Sequence, residues 1–361
     1  MDLNFRTYQN KSTQFTGSHL EIDSERFDLN AVLNFDETLG GVPVHSIVQA
    51  IDEFMQISNG YCKPQFAALA FTATKNLKAL HWYFPITQML TEPKLDRFYE
   101  LVQSIAGHPN FDIQLIAEGR REVTEQIPIS VRHLVAGHIA EVFFYRQNIL
   151  ERFLSSPRHF QLYTTPKAFE RDGGVAGGDY NPDRECIQLV LSRLFEGFYG
   201  ETAGVCPFLH EFGHMLDHFD VSSGNMGYVE GLLPGLSLRD GKMLNPHARK
   251  LFIAGKALEL ERYLALYQGR SRNADSLPIG HPYVFQNDGE FIAGYFEMFF
   301  RNPNYFASKN QDLYSAFVEL FGYDPRSAWK QDFPYYVDQN REFYLNGNKP
   351  WKPNLSIPKD N

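Results

Sequence analysis

The pattern of apolar positions predicts amphipathic helices over much of the chain. In residues 94–107, KLDRFYELVQSIAG, apolar side chains recur every three or four positions and a glycine ends the run. Similar spacing predicts one long helix over 130–154, with Ser130 as its N-cap. It also predicts helices over 245–269 and 289–302. The N-terminal region is therefore predicted to be mainly helical.

Short runs of strand-forming residues predict a small sheet in addition to the helices. They are HLEIDSERFDL at 19–29, HFQLYTT at 159–165 and ECIQLVLS at 185–192. The change from long helical runs to short strands predicts a boundary near residue 156. The fold class is thus α+β. It comprises a mainly helical region over 1–155, a second domain with a small mixed sheet over 156–332, and an extended C-terminal tail over 333–361.

Composition and charge argue against several classes of function, among them nucleic-acid binding and membrane insertion. The chain has 361 residues, 43% of them hydrophobic, and a net charge of −9 without any block of like charges, so binding to nucleic acid is not expected. The longest apolar runs are too short to cross a membrane, and the N-terminal residues do not resemble a secretory signal. The three cysteines are widely spaced. The simplest interpretation is a reduced, cytoplasmic protein that does not bind membranes.

Residues 207–220, PFLHEFGHMLDHFD, combine an apolar stripe with a polar face. As a helix, the stretch places its large apolar side chains along one buried face. His210 and His214 lie four residues apart and project side by side, so their imidazoles can hold one tetrahedral zinc ion. Glu211 points about a quarter-turn away, where it could act as general base on a water at the metal. The stretch therefore predicts both a core helix and a zinc site.

A catalytic zinc site needs a third protein ligand, and the residues alone leave several candidates. Asp220 stands where some HExxH enzymes carry a ligand, but Asp217 occupies the position of the glycine that allows their tight turn. Asp217 and His218 lie on the same helix as the histidine pair, and a straight helix cannot bring three consecutive turns to one ion. Glu290 and Glu297 lie seven residues apart on an apolar helix, where an unpaired buried carboxylate is costly. Spacing alone does not separate these two glutamates.

Two stretches together resemble a known family of zinc peptidases. HEFGHMLD at 210–217, with YVFQNDGEFIAGYFEMFFRNP at 283–303, is similar to the family typified by the anthrax lethal factor catalytic domain and Mlc titration factor A. The resemblance covers about residues 156–326. It implies a zincin-like metallopeptidase domain over 156–332. It also implies that Glu290, which opens the EFIA helix, is the third zinc ligand.

The same resemblance implies roles beyond metal binding. Tyr283, seven residues before Glu290, would donate a hydrogen bond to the developing oxyanion. The strand predicted over 185–192 would be a sheet edge that binds substrate by strand addition. One position departs from the family, because Gly294 stands where relatives carry a polar or acidic residue. Any hydrogen bond from a side chain at that position is therefore missing.

These observations make a zinc metallopeptidase the leading functional hypothesis. One zinc ion per chain would be held by His210, His214 and Glu290, with Glu211 and Tyr283 as catalytic residues and a peptide or protein as substrate. The alternative is a regulatory protein of the repressor-titrating type, which binds a protein partner through a zincin fold with little or no proteolysis. A zinc hydrolase acting on a non-peptide amide is a third hypothesis.

Overall fold

The computed structural model describes most of the chain beyond residue 90 and short strands before it. The described residues are 13–16, 19–22, 25–28, 84, 86–87, 90–116, 129–175, 177–195, 205–218, 246–270, 276–327, 332, 334–346, 348 and 350–357. Most of the predicted helical region before residue 84 lies outside these ranges. The contacts divide the chain into two compact units. The first is Met1–Glu141, His159–Asp179 and Gln188–Phe195, and the second is Val142–Arg158, Tyr180–Ile187 and Glu196–Asn361.

The N-terminal strands form an antiparallel meander. Strand β1 is Thr13–Thr16, β2 is His19–Ile22 and β3 is Glu25–Asp28. Their order is β1-β2-β3, with Leu20 of β2 opposite both Phe15 and Phe27. The single strand predicted over 19–29 is therefore a hairpin, because the chain reverses between residues 22 and 25.

A second, four-stranded sheet lies mostly within the first unit. Its strands are β4, Phe111–Ile116; β5, Arg158–Tyr163; β6, Gly178–Asn181; and β7, Cys186–Val190, in the order β4-β5-β7-β6. Alternate residues of β4 are buried, as expected for a strand with one face on the core. The strands predicted from 159 and 185 are confirmed.

The expected role of β7 as a substrate-binding edge is wrong. Strand β7 lies between β5 and β6, so neighbouring strands already occupy both of its hydrogen-bonding sides. All five of its residues are buried. Its apolar run therefore reflects an internal strand covered on both faces.

Helices account for most of the described chain, which is mixed α/β and mostly helical. Their bounds are α1, Glu92–Ala106; α2, Ile129–Phe143; α3, Gln147–Phe153; α4, Pro166–Arg171; α5, Pro207–His218; α6, Pro246–Tyr267; α7, Asp288–Arg301; α8, Pro303–Lys309; α9, Gln311–Phe321; and α10, Pro334–Leu345. Helices α1, α5, α6 and α7 confirm the sequence prediction. Among the described residues, no helix is both long and apolar enough to cross a membrane.

The single helix predicted over 130–154 is wrong, because the chain breaks into α2 and α3. Between them, the Arg146 guanidinium donates hydrogen bonds to the carbonyl oxygens of Leu320 (3.2 Å) and Glu319 (3.0 Å). Tyr145 packs against Tyr323, with ring centroids 4.7 Å apart. These contacts satisfy carbonyl groups at the C-terminal end of α9 and require the chain to turn there. The helical pattern of 130–154 contains no local signal of this break.

The extended tail predicted over 333–361 is also wrong in its first part, which forms α10. Two side chains one turn apart on α10 fix it to the segment before α7. Asn340 donates to the carbonyl of Ile279 at 3.3 Å, and the Tyr344 hydroxyl donates to that of Gly280 at 2.8 Å. The later described residues, 350–357, lie outside helices and strands. The domain boundary at 156 stays a prediction.

The second unit is built around an aromatic core between α7 and α9. The ring of Phe299 on α7 stacks on Phe317 and Phe321 of α9, with centroids 5.6 Å and 5.3 Å apart. All three side chains are fully buried. Burial of so much aromatic surface anchors α7, the helix that carries Glu290 and Glu297.

Helix α6 approaches α9 so closely that Gly255 cannot carry a side chain. A β-carbon at residue 255 would lie 2.4 Å from both the backbone nitrogen and the Cβ of Leu313. We expect Gly255→Ala to destabilise the protein by about 1–3 kcal/mol or more, because backbone atoms must separate. The free energy of unfolding measured with a chemical denaturant checks this.

Gly107→Ala is the matched control for Gly255→Ala. A β-carbon at residue 107 meets no atom closer than 3.4 Å, and its φ of −90° suits alanine. We expect a change within about 0.5 kcal/mol. Equal effects of the two substitutions would contradict the close packing of α6 on α9.

Candidate metal centre

Helix α5 has an apolar face in the core and a polar face that carries the histidine pair. Phe208, Leu209, Phe212, Met215 and Leu216 are all almost fully buried. The ring of Phe212 makes edge contacts with Phe143, Phe153 and Phe296. The predicted amphipathic helix is confirmed, so the core fixes the direction in which the opposite face points.

Helices α5 and α7 come into direct contact at Gly213. A β-carbon there would lie 3.0 Å from the Cα of Ala293 and 3.3 Å from the ring of Phe296. The small residues at 213 and 293 let the two backbones approach closely. As a result, His210 and His214, on either side of Gly213 along α5, come close to Glu290, which precedes Ala293 on α7.

Glu290 is placed by the cap at the start of α7. The Asn287 side chain accepts a hydrogen bond from the Glu290 backbone N–H at 2.9 Å, which fixes the helix start at Asp288. Glu290 therefore lies in the first turn, where the helix dipole favours a carboxylate. Its side chain extends toward the histidines of α5.

His210, His214 and Glu290 bring three donor atoms to one point. Glu290 Oε2 lies 3.0 Å from His210 Nε2 and 3.4 Å from His214 Nε2. One donor atom from each residue lies within 4.8 Å of the other two, as expected for a group that could hold a metal ion. The side chains are 13–15% exposed, so the point is shielded but open to solvent.

The donor set fits zinc by chemistry and by spacing. Two histidines and one glutamate are a common ligand set in catalytic zinc sites that keep a fourth position open. Ligands about 2.0–2.1 Å from a tetrahedral ion lie about 3.4 Å apart. The measured separations of 3.0 Å and 3.4 Å from Glu290 Oε2 lie close to that value.

The charges around His210 favour a cation at this point. Burial lowers the pKa of His210, but the hydrogen bond with Glu290 and the negative charges of Glu297 and Glu211 outweigh it and raise the pKa to about 10. Burial likewise raises the pKa of Glu290, while hydrogen bonds from His210 and His214 lower it well below its ordinary value. The acidic groups therefore stabilise positive charge here, which either a proton on His210 or a metal cation can supply.

Tyr283 stands at the edge of this cluster. Its hydroxyl donates a hydrogen bond to Glu290 Oε1 at 3.1 Å, and its ring centroid lies 6.2 Å from that of His210. The side chain is 42% exposed, so it faces the solvent side of the site. The sequence-predicted Tyr283 and Glu290 are thus brought together with the histidine pair.

A buried glutamate anchors the segment that carries Tyr283. Glu259 of α6 is fully buried and accepts hydrogen bonds from the backbone N–H of Ile279 (2.9 Å) and the hydroxyl of Tyr295 (2.5 Å). Residues Pro282–Phe285 then form a 3-10 turn in which the Tyr283 backbone N–H donates to His281 Nδ1 at 3.2 Å. These contacts hold the segment just before Tyr283 and at Tyr283 itself.

Gly294, where the peptidases that the sequence resembles carry a polar or acidic residue, has a packing role. A β-carbon there would lie 2.3 Å from Cγ1 of Val284, next to Tyr283. Any larger residue at 294 would push the Tyr283 segment away from α7. The absent polar side chain is therefore the consequence of close contact between that segment and the helix.

Of the other candidate ligands, Glu297 and Asp217 lie within the described part of the chain, and neither belongs to the group of three donors. Glu297 is 5% exposed, and its carboxylate lies 3.7 Å from His210 Nδ1, on the far side of the ring from Glu290. Glu211 and Asp217 are buried, while Asp220 and the side chain of His218 lie outside the described residues. Sequence reasoning missed the place of Glu297 behind His210, although its seven-residue spacing from Glu290 was the available signal.

Comparisons with other proteins add no family assignment. No family model, curated protein or solved structure matches the chain. The assignment of the metal site is therefore based on the residues and their geometry in this protein.

We expect the protein to bind one zinc ion per chain through these three residues. His210→Ala, His214→Ala and Glu290→Ala should each lose the ion, because each substitution removes one of three donor atoms. Metal content after dialysis, with zinc affinity from competition against a chromogenic chelator, checks this. His247→Ala, at the exposed start of α6, is the control and should bind zinc as the wild type does. Full zinc content in His210→Ala would contradict the site.

Proposed function

We propose that this protein is a zinc-dependent metallopeptidase that hydrolyses a peptide bond in a peptide or protein. The observation that carries the proposal is the convergence of His210, His214 and Glu290 within 4.8 Å, with Glu211 and Tyr283 beside them. A reducing, cytoplasmic location forms part of the proposal, because the three cysteines are few and widely spaced along the chain.

The zinc ion would supply Lewis-acid polarisation of a carbonyl and lower the pKa of a water molecule. The role of Glu211 follows from its position beside the first histidine. Its carboxylate is buried and lies close enough to His210 to raise the pKa of that residue. It lies outside the group of three donors, and in this mechanism it accepts a proton from water. It can then return that proton to the leaving amine.

Tyr283 would stabilise negative charge that develops on the substrate. Its hydroxyl contacts Glu290 Oε1, next to the donor atom Glu290 Oε2. From this exposed position a small rotation can direct the O–H toward a carbonyl oxygen beside the metal. A phenol held close to the reacting carbonyl lowers the barrier by donating a hydrogen bond that strengthens as charge develops.

Glu211→Gln separates catalysis from metal binding. The amide keeps the size of the side chain but cannot accept a proton, so we expect zinc content to be unchanged and cleavage of an unbiased peptide mixture to be abolished. Glu170→Gln on the exposed surface of α4 is the control, with full activity expected. Retained cleavage in Glu211→Gln would contradict the mechanism. Absence of cleavage by wild-type protein with zinc would favour the regulatory, partner-binding alternative.

Tyr283→Phe tests the hydrogen-bond donor. The substitution removes only the hydroxyl, so zinc affinity and the fold should be retained. We expect kcat to fall by about 10²–10³-fold with little change in KM, the usual cost of losing one donor to an oxyanion. Steady-state kinetics on the best peptide from the mixture measure this. A change in KM alone would assign Tyr283 to substrate binding instead.

A further inference from the structure

The imidazole of His210 is held between two carboxylates from the same helix. Its Nε2 faces Glu290 Oε2 at 3.0 Å, and its Nδ1 faces Glu297 Oε2 at 3.7 Å. Residues seven apart on a helix lie on nearly the same side, about two turns from each other. The contact of α5 with α7 at Gly213 therefore inserts the ring between the two glutamates.

Glu297 also holds the start of α5. Its second oxygen, Oε1, accepts a hydrogen bond from the backbone N–H of Cys206, the residue before the first helical position, Pro207. The first N–H groups of a helix have no partner within the helix and need an outside acceptor. One buried carboxylate thus contacts both the beginning of the metal helix and the side chain of its first histidine.

No side chain at position 294 could perform this task. Residue 294 is one turn beyond Glu290, but Val284 occupies the space that its β-carbon would need. At residue 293, Ala293 instead allows close approach to Gly213. Position 297 is the next one on this side of α7, and it carries the glutamate.

We infer that Glu297 is a positioning residue that orients His210 so that Nε2 is the nitrogen offered to the metal. A carboxylate beside Nδ1 favours the tautomer with its proton on Nδ1, which leaves the lone pair on Nε2. The carboxylate also fixes the plane of the ring. This inference rests on the proposed zinc site and assigns a residue that does not itself bind the ion.

Glu297→Gln is the variant that tests this role. An amide has one acceptor oxygen, so it cannot serve both the Cys206 N–H and a protonated Nδ1 of His210. We expect the affinity for Zn²⁺ to fall by about 10–100-fold, the usual effect of losing such a partner. The affinity is measured with zinc alone by chelator competition, on protein whose fold has been checked by circular dichroism.

Glu170→Gln is the control, because Glu170 is an exposed glutamate on α4 and undergoes the same change from carboxylate to amide. It should leave the fold unchanged and the zinc affinity within threefold of the wild type. Folded Glu297→Gln with zinc affinity within threefold of wild type would overturn the inference. If the wild type itself binds no zinc, the proposed function fails first, and the two results are distinguishable.

A measurement on the wild-type protein keeps the inference testable if Glu297→Gln does not fold. In zinc-loaded protein labelled with ¹⁵N-histidine, long-range proton–nitrogen spectra report which ring nitrogen carries the proton. We expect His210 to show a protonated Nδ1 and a metal-bound Nε2. Zinc bound through Nδ1 of His210 would overturn the inference and leave the zinc site itself intact.

Discussion

The contact of α5 with α7 at Gly213 and Ala293 is the constraint on which the candidate site depends. Where the two backbones approach this closely, a side chain at residue 213 would press against Ala293. The close approach places Glu290 Oε2 3.0 Å and 3.4 Å from the two histidine nitrogens. A methyl group at residue 213 would lie 3.0 Å from the Cα of Ala293 and would press α7 away by a few tenths of an ångström. The glycine within HEFGH therefore contributes to the spacing of the metal centre as well as to packing.

The second constraint is electrostatic, because several carboxylates gather around one buried imidazole. Glu290, Glu297 and Glu211 all raise the pKa of His210, against the effect of burial. A concentration of negative charge in a shielded place is costly unless a positive charge balances it. A metal cation could balance this charge, and the donor atoms present are ones that zinc prefers. The three carboxylates destabilise the fold when no positive charge balances them. For the same reason, they favour the binding of a cation.

The third feature is that the site is assembled from distant parts of the chain. Helix α5 supplies the histidines and Glu211, α7 supplies Glu290 and Glu297, and the turn Pro282–Phe285 supplies Tyr283. The turn stays in place because Glu259 holds Ile279, and because Val284 packs where Gly294 leaves room. Helix α10 adds a further contact through Tyr344 to Gly280. The position of Tyr283 thus depends on α6 and α10, which contribute no donor atom, and on α7, which also carries Glu290.

The sequence by itself determined the features that depend on neighbours along the chain. Helical periodicity gave α1, α5, α6 and α7, and the four-residue spacing of His210 and His214 placed both rings on one face. Spacing did not separate Glu290 from Glu297, and the assignment of Glu290 came from a family resemblance alone. Tertiary structure distinguished the two, because the point at which α7 crosses α5 decides which carboxylate meets which ring nitrogen. The break at Arg146, helix α10 and the internal place of β7 depended on distant contacts in the same way, since local periodicity contains no record of partners far along the chain.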